Sequence, residues 1–208
     1  MPLPFLAVAA ALAKVGTVGL GVTKAAAAAT TTAVVGKQAS KAVIRQNSKK
    51  KVSNQSQLQY GDIIGIKRKY YEHYGIYAGN DRVIHYTSYT SDVSSDNEIM
   101  ETDFSHFLKE ESSFFVLNVE RIEEKERRYK NFPTSPVTAI SNLVQSLLQE
   151  EDFRIYTPEE TVRRARLRLG ESKYSLGENN CEHFAVWCKT GLSKSYQVDQ
   201  IKELAGFK

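Results

Sequence analysis

The chain has 208 residues, 41% hydrophobic and 25% charged, the make-up of one globular domain with its own core. Its net charge of +4 divides unevenly: residues 1–61 hold eight Lys or Arg and no acid, and the remaining 147 carry 20 basic against 24 acidic groups, so a nucleic-acid partner is not expected of the body. The two cysteines, Cys181 and Cys188, exclude a disulfide-built scaffold, since seven positions on one helix rise about 10.5 Å and a disulfide reaches only ~7 Å; a reducing, cytosol-facing setting is expected.

Residues 2–36 are apolar and rich in Ala, Gly and Thr, interrupted by Lys14 and Lys24. The longest uncharged runs, 13 and 12 residues, fall short of the ~20 that a spanning helix needs. Three readings remain open: an interfacial anchor helped by the basic stretch "KQASKAVIRQNSKKK", an organelle transit peptide, or a disordered Ala-rich tail. The organisation expected is an apolar then basic arm over 1–55, a body over 56–192, and a polar tail over 193–208.

In the body, "YGDIIGIKR" (60–68), "HYGIYAG" (73–79), "RVIHYTS" (82–88) and "SSFFVLNVERI" (112–122) read as strands. A Ser/Asp-rich loop is expected over about 88–103, then a short helical patch at "DFSHFLKEE". "EEKERRYKNFP" reads as a solvated linker, and "SPVTAISNLVQSLLQEE" as a helix with Ile140, Leu143, Val144, Leu147 and Leu148 on one side. The next helix carries an N-cap at Thr157, Pro158 in first position and Glu160 to complete a capping box; Gly170 stops it. In "SLGENNCEHFAVWCKTG", Asn180 is a natural N-cap and Gly191 a natural stop, so 181–190 should be helical.

Cys181 would then be the first residue of that helix, where free backbone N–H groups and the positive dipole end are expected to lower the thiol pKa from about 8.5. Phe184, Trp187 and Cys188 share its stripe; Cys188 reads as inert core and His183 as a structural contact to the preceding loop. A thiol nucleophile needs a base. His73 and His85 lie on the predicted hairpin, and loop parity decides whether they meet. A two-residue Asn80-Asp81 loop pairs residue i with 161 − i and splits the histidines between faces. A three-residue loop or an equivalent bulge pairs i with 160 − i, sets His85 opposite Gly75, and leaves His73 diagonal to it on one face, about 7–8 Å away. The odd register is expected. His106 carries no special signal. A zinc set of Cys181, His183 and Cys188 matches no usual ligand spacing, so no metal or other cofactor is expected.

With these residues in view, "NNCEHFAVWCKTG" resembles the signature of the lecithin–retinol acyltransferase family, and "YGDIIGIKRKYYEHYGIYAGNDRVIHYTS" its N-terminal motif, over about residues 58–192. The resemblance implies an α+β fold, an antiparallel sheet packed by helices, as a permuted relative of the NlpC/papain-like thiol hydrolases. It implies Cys181 as nucleophile, His73 as general base and His85 as the group that orients it, with Tyr74 and Tyr60 lining the site by analogy. Family enzymes move an acyl chain from a glycerophospholipid onto the cysteine and then to water, an amine, a lysophospholipid or retinol. A phospholipase A/acyltransferase at a membrane, facing the cytoplasm, is the function implied; a retinol O-acyltransferase and a catalytically silent membrane-interaction module are the alternatives.

Overall fold

A computed structural model describes residues 43–88, 91, 92, 94, 96–122 and 154–205. The apolar stretch 2–36, the charged run after Ile122 and the helix expected over 135–151 lie outside the described residues.

Six strands form one antiparallel sheet: β1 (Lys49–Val52), β2 (Ile63–Lys67), β3 (Glu72–Gly79), β4 (Arg82–Thr87), β5 (Glu98–Asp103) and β6 (Phe114–Leu117), in the order β1-β6-β2-β3-β4-β5. The described residues also include the α-helices α1 (Phe104–Leu108), α2 (Pro158–Arg166), α3 (Cys181–Thr190) and α4 (Tyr196–Leu204), with a helical turn at 43–47 before β1. Two strands were not expected. β1 is cut from the basic run and β5 from the loop region, and both hold their place by pairing, with β6 and β4 respectively. The expected strand 112–122 is shorter; it ends at Leu117, and 119–122 is helical.

Alternation along the central strands fills both faces. Tyr74, Ile76, Ile84 and Tyr86 pack with Val162 and Ala165 of α2 and Cys181, Phe184 and Ala185 of α3. Ile64, Ile66 and Val83 pack on the other face with Phe104 and Phe107 of α1. The capping box expected at α2 is formed, with Thr157 Oγ1 accepting from Glu160 N at 3.2 Å and Glu160 Oε2 from Thr157 N at 3.0 Å. From α2, Arg164 donates to the carbonyls of Trp187 (3.0 Å) and Cys188 (3.2 Å), satisfying acceptors near the end of α3.

Candidate active site

The hairpin sets the site. Gly75 pairs with His85, Ile76 with Ile84 and Tyr77 with Val83, each pair summing to 160; after a bulge at Ala78, Gly79 pairs with Arg82. The turn itself is the two-residue Asn80-Asp81, both at positive φ (48° and 63°) as a type I′ turn requires, and the bulge supplies the odd register. His73 and His85 therefore share one face, with His73 Nε2 and His85 Nδ1 2.8 Å apart. Gly75 makes this approach possible, because a Cβ there would meet Val83 Cγ1 at 2.7 Å and His85 Cβ at 3.1 Å.

A chain of hydrogen bonds continues outward. His85 Nε2 lies 2.8 Å from Thr102 Oγ1 on β5, and that hydroxyl reaches the carbonyl of Asp103 at 3.2 Å. One proton assignment satisfies the chain: His73 Nε2–H donates to His85 Nδ1, His85 Nε2–H to Thr102, and Thr102 to Asp103 O. His73 Nδ1 is then an unprotonated acceptor, and it is the ring atom with no hydrogen-bond partner among the described residues. Phe107 covers both rings at 5.4 and 5.2 Å, and His106 lies 5.9 Å from His85, much nearer the pair than its sequence position suggested.

Asp92, 3% exposed, is the buried acid of this face. Its carboxylate is 3.9 Å from His73 Nε2, accepts from Thr87 Oγ1 at 3.1 Å, and is ion-paired with Arg68 (2.9 Å) and Lys109 (2.8 Å). Burial pushes its pKa up, but His73, Lys109 and Arg68 together outweigh burial and hold it far below the carboxylate range. Burial also lowers His73 to about 4, only partly opposed by Asp92. His73, His85 and Asp92 present ligand atoms within 4.8 Å of one another, the one such group among the described residues. A divalent metal there would displace the His73–His85 hydrogen bond and compete with two cations for Asp92, so it would block the pair rather than assist it.

Cys181 approaches from the opposite face. Asn180 caps α3, its side chain accepting from Glu182 N (2.9 Å) and His183 N (3.1 Å), while His183 Nδ1 accepts from Asn180 N at 3.4 Å. Gly191 ends the helix at φ 81°. The β3–β4 ladder stops at Gly75–His85 while β2 stays paired with β3 to Glu72, which leaves the near end of β3 open on one side. The thiol enters this opening: Cys181 Sγ is 3.9 Å from Glu72 O and receives the N–H of Tyr74. It rests on the peptide groups that flank His73. The expected lowering of its pKa is not found. At 3% exposure, burial outweighs the N–H groups of Tyr74 and Glu182 and pushes the thiol up to about 12. Thiol and imidazole are thus both neutral at rest.

Tyr74 and Tyr60 are placed elsewhere. The Tyr74 ring points away from His73 into the α2–α3 core, and its hydroxyl donates to Glu72 Oε2 at 2.6 Å. Tyr60 packs near Gly79, at the far end of β3. Cys188 is fully buried core, with a thiol that burial holds high. Asp92 and Thr102 escaped the sequence reading: Asp92 sits in an irregular segment, and Thr102 gains meaning only from the β4–β5 register. No helix among the described residues is long and apolar enough to cross a membrane.

Comparison with known proteins decides the family, since the profile described as lecithin retinol acyltransferase matches residues 56–194. The chain belongs to the lecithin retinol acyltransferase family. It is similar to the lecithin retinol acyltransferases of Rattus norvegicus (29% identical over 150 residues, 69% of this chain and 59% of that protein) and Homo sapiens (29% over 153 residues, 71% and 61%). It is also similar to phospholipase A and acyltransferase 4 of Homo sapiens (25% over 147 residues, 70% and 78%). The chain spans about three fifths of the length of the lecithin retinol acyltransferases it matches. The family match holds all the histidine and cysteine positions above, and leaves the turn at 43–47, β1 and α4 outside it.

Proposed function

We propose that this protein is a cysteine-dependent phospholipase A/acyltransferase that takes an acyl chain from a glycerophospholipid through a Cys181 thioester. The observation that carries this reading is the unpartnered His73 Nδ1 on the stretch of β3 whose flanking peptides receive the Cys181 thiol. His73 Nδ1 takes the thiol proton as sulfur attacks the ester carbonyl, so the buried pair forms charge only when substrate excludes water from it. His85 accepts the Nε2–H bond that strengthens as His73 becomes imidazolium, and Asp92 balances that charge. The backbone N–H of Cys181, which the Asn180 cap does not use, supplies an oxyanion donor at the start of α3. The tetrahedral adduct collapses by breaking the carbonyl C–O bond, and His73 returns its proton to the departing lysophospholipid alkoxide. The thioester then passes its acyl group to an acceptor, water, an amine or a lysophospholipid, whose proton His73 takes while the Cys181 thiolate leaves and is reprotonated.

The histidine strands precede the cysteine helix, and we read this order as a permuted NlpC/papain-type arrangement. The substrate class implies work at a membrane surface, and we propose its cytoplasmic face. A second reading is retinol O-acylation with phosphatidylcholine as donor, favoured by the similarity to the lecithin retinol acyltransferases. Incubation with phosphatidylcholine vesicles followed by intact mass spectrometry tests the first step. A hydroxylamine-labile acyl adduct absent in Cys181→Ser is expected; a wild-type chain with no adduct and no released fatty acid overturns the reading. Adding retinol or an aminophospholipid then shows which acceptor becomes acylated.

A further inference from the structure

Helix α4 and Ser195 just before it lie beyond the family match, yet they touch the thiol site at several points. Gln197 is central to this. Its Oε1 accepts from Glu72 N at 2.8 Å and its Nε2 donates to Glu72 O at 3.0 Å. In an antiparallel ladder, the N–H and C=O of one residue point to the same neighbour. On Glu72 that neighbour would be β4, but the β3–β4 pairing has ended three positions away, at Gly75–His85. The Gln197 amide therefore stands in for the missing strand. The same Glu72 carbonyl is the group on which the Cys181 thiol rests, and the next residue is His73.

Gln197 is in turn fixed to the cysteine helix. Its backbone N–H donates to Glu182 Oε2 at 2.9 Å, its Nε2 lies 3.3 Å from the same oxygen, and Ser195 Oγ donates to that oxygen at 2.6 Å. Glu182 is fully buried and immediately follows Cys181. One side chain thus ties the strand that carries the base to the helix that carries the thiol.

We propose that Gln197 is a positioning residue of this site: it closes the open edge of β3 at Glu72 and so fixes the backbone between the Cys181 thiol and His73. The proposal rests on the thiol-acyltransfer reading for its consequence, but thiol reactivity reads it without any lipid. Without the amide, the β3 edge loosens, water reaches Cys181, and the burial that holds the thiol high is relieved.

Gln197→Glu makes the positioning titratable. A protonated carboxyl can accept from Glu72 N and donate to Glu72 O as the amide does. A carboxylate cannot donate, and it faces the Glu182 carboxylate. The charged groups around this position are Glu72 on β3, Glu182 on α3, Arg45 before β1 and Lys49 on β1; Arg45 pairs with both glutamates and Lys49 with Glu72.

The test is iodoacetamide alkylation of the full chain from about pH 5 to about pH 9, with each cysteine quantified by peptide mass. Cys188, fully buried, reports unfolding. In Gln197→Ala the Cys181 profile should move to lower pH while Cys188 stays protected, and acyl-adduct formation from phosphatidylcholine should slow about tenfold or more. Gln197→Glu, compared with wild type at each pH, should approach wild type at the acid end and match Gln197→Ala at the alkaline end. An unchanged Cys181 profile in Gln197→Ala, or alkylation of Cys188 in step with Cys181, overturns the proposal. A wild-type chain that forms no acyl adduct overturns the acyltransfer reading instead, and the alkylation profiles still decide the role of Gln197.

Discussion

Gly75 and His85 face each other across the β3–β4 ladder so closely that the absence of a side chain at 75 sets the position of the imidazole at 85. The first prediction follows. Gly75→Ala places a methyl 3.1 Å from His85 Cβ and 2.7 Å from Val83 Cγ1, both on a backbone held by ladder hydrogen bonds. Overpacking of this kind costs about 1–3 kcal/mol. It also pushes His85 away from His73, so acyl-adduct formation should fall much further than stability does. Adduct formation at the wild-type rate in a folded Gly75→Ala protein would show that the His73–His85 bond is not needed.

Thiol and imidazole are both neutral at rest, and this sets the pH dependence. With Cys181 held at about 12, its alkylation rate in the wild type should keep rising with pH through the neutral range, without the acid plateau of a thiolate–imidazolium pair. His73 has a folded pKa of about 4, below the ordinary 6.5. A histidine lowered on folding adds no linkage above about pH 6.5, where both states are neutral. As pH falls toward 4 the unfolded chain takes up a proton that the folded chain refuses, and stability is lost. His183, lowered by burial to about 4, acts in the same direction. Urea midpoints should therefore fall steadily from about pH 6.5 to about pH 4, and His73→Gln should flatten that slope. An unchanged slope in His73→Gln would show that His73 is not the group responsible.

Much of this geometry could be read from residue order. The parity of the hairpin, 160 − i against 161 − i, depended on a turn and a bulge that "YAGNDRV" makes available, and it placed both histidines on one face. The caps of α2 and α3 follow from Thr157, Glu160, Asn180 and Gly191. What stayed hidden came from tertiary contact. β1, "KKKV", reads as a charge run, and β5, "EIMETD", as loop, because an edge strand carries polar residues on its open side. The raised thiol pKa is not legible in the sequence, because the helix start shows there and the burial that outweighs it does not. Gln197 has no local signature at all; its role exists only because β4 turns away from β3.

Asp92 supplies a third prediction. With Asp92→Asn, the charges left facing His73 are Arg68 and Lys109, with His106 beside them. The imidazolium formed during thiol attack then loses its counter-charge at 3.9 Å. Acyl-adduct formation should slow about 10- to 100-fold, in the range of a lost charge-assisted contact. The acid limb of the rate profile should move to lower pH, since His73 becomes harder still to protonate. A limb that stays in place, or moves up, would remove Asp92 from the account.

The last prediction concerns Arg45, which lies before the family match and is nearly buried. Its guanidinium meets Glu72 Oε2 at 2.9 Å, Glu182 Oε1 at 3.4 Å and Tyr74 OH at 3.4 Å. Burial opposes its charge, but Glu182, Tyr74 and Glu72 more than compensate and hold it firmly protonated. Glu72 keeps Lys49 as a second partner, whereas Glu182 has no other cation among the described contacts. Arg45→Met therefore strands a fully buried carboxylate one residue from the thiol. Breaking a buried pair on one side costs on the order of 3–5 kcal/mol, read as a lower urea midpoint at unchanged slope. Adding Glu182→Gln should recover a large part of that loss, because the amide has no charge to leave unpaired and can still accept from Ser195 and from Gln197 N. Additive losses in the double variant would show that Arg45 stabilises the fold through its packing and not through Glu182.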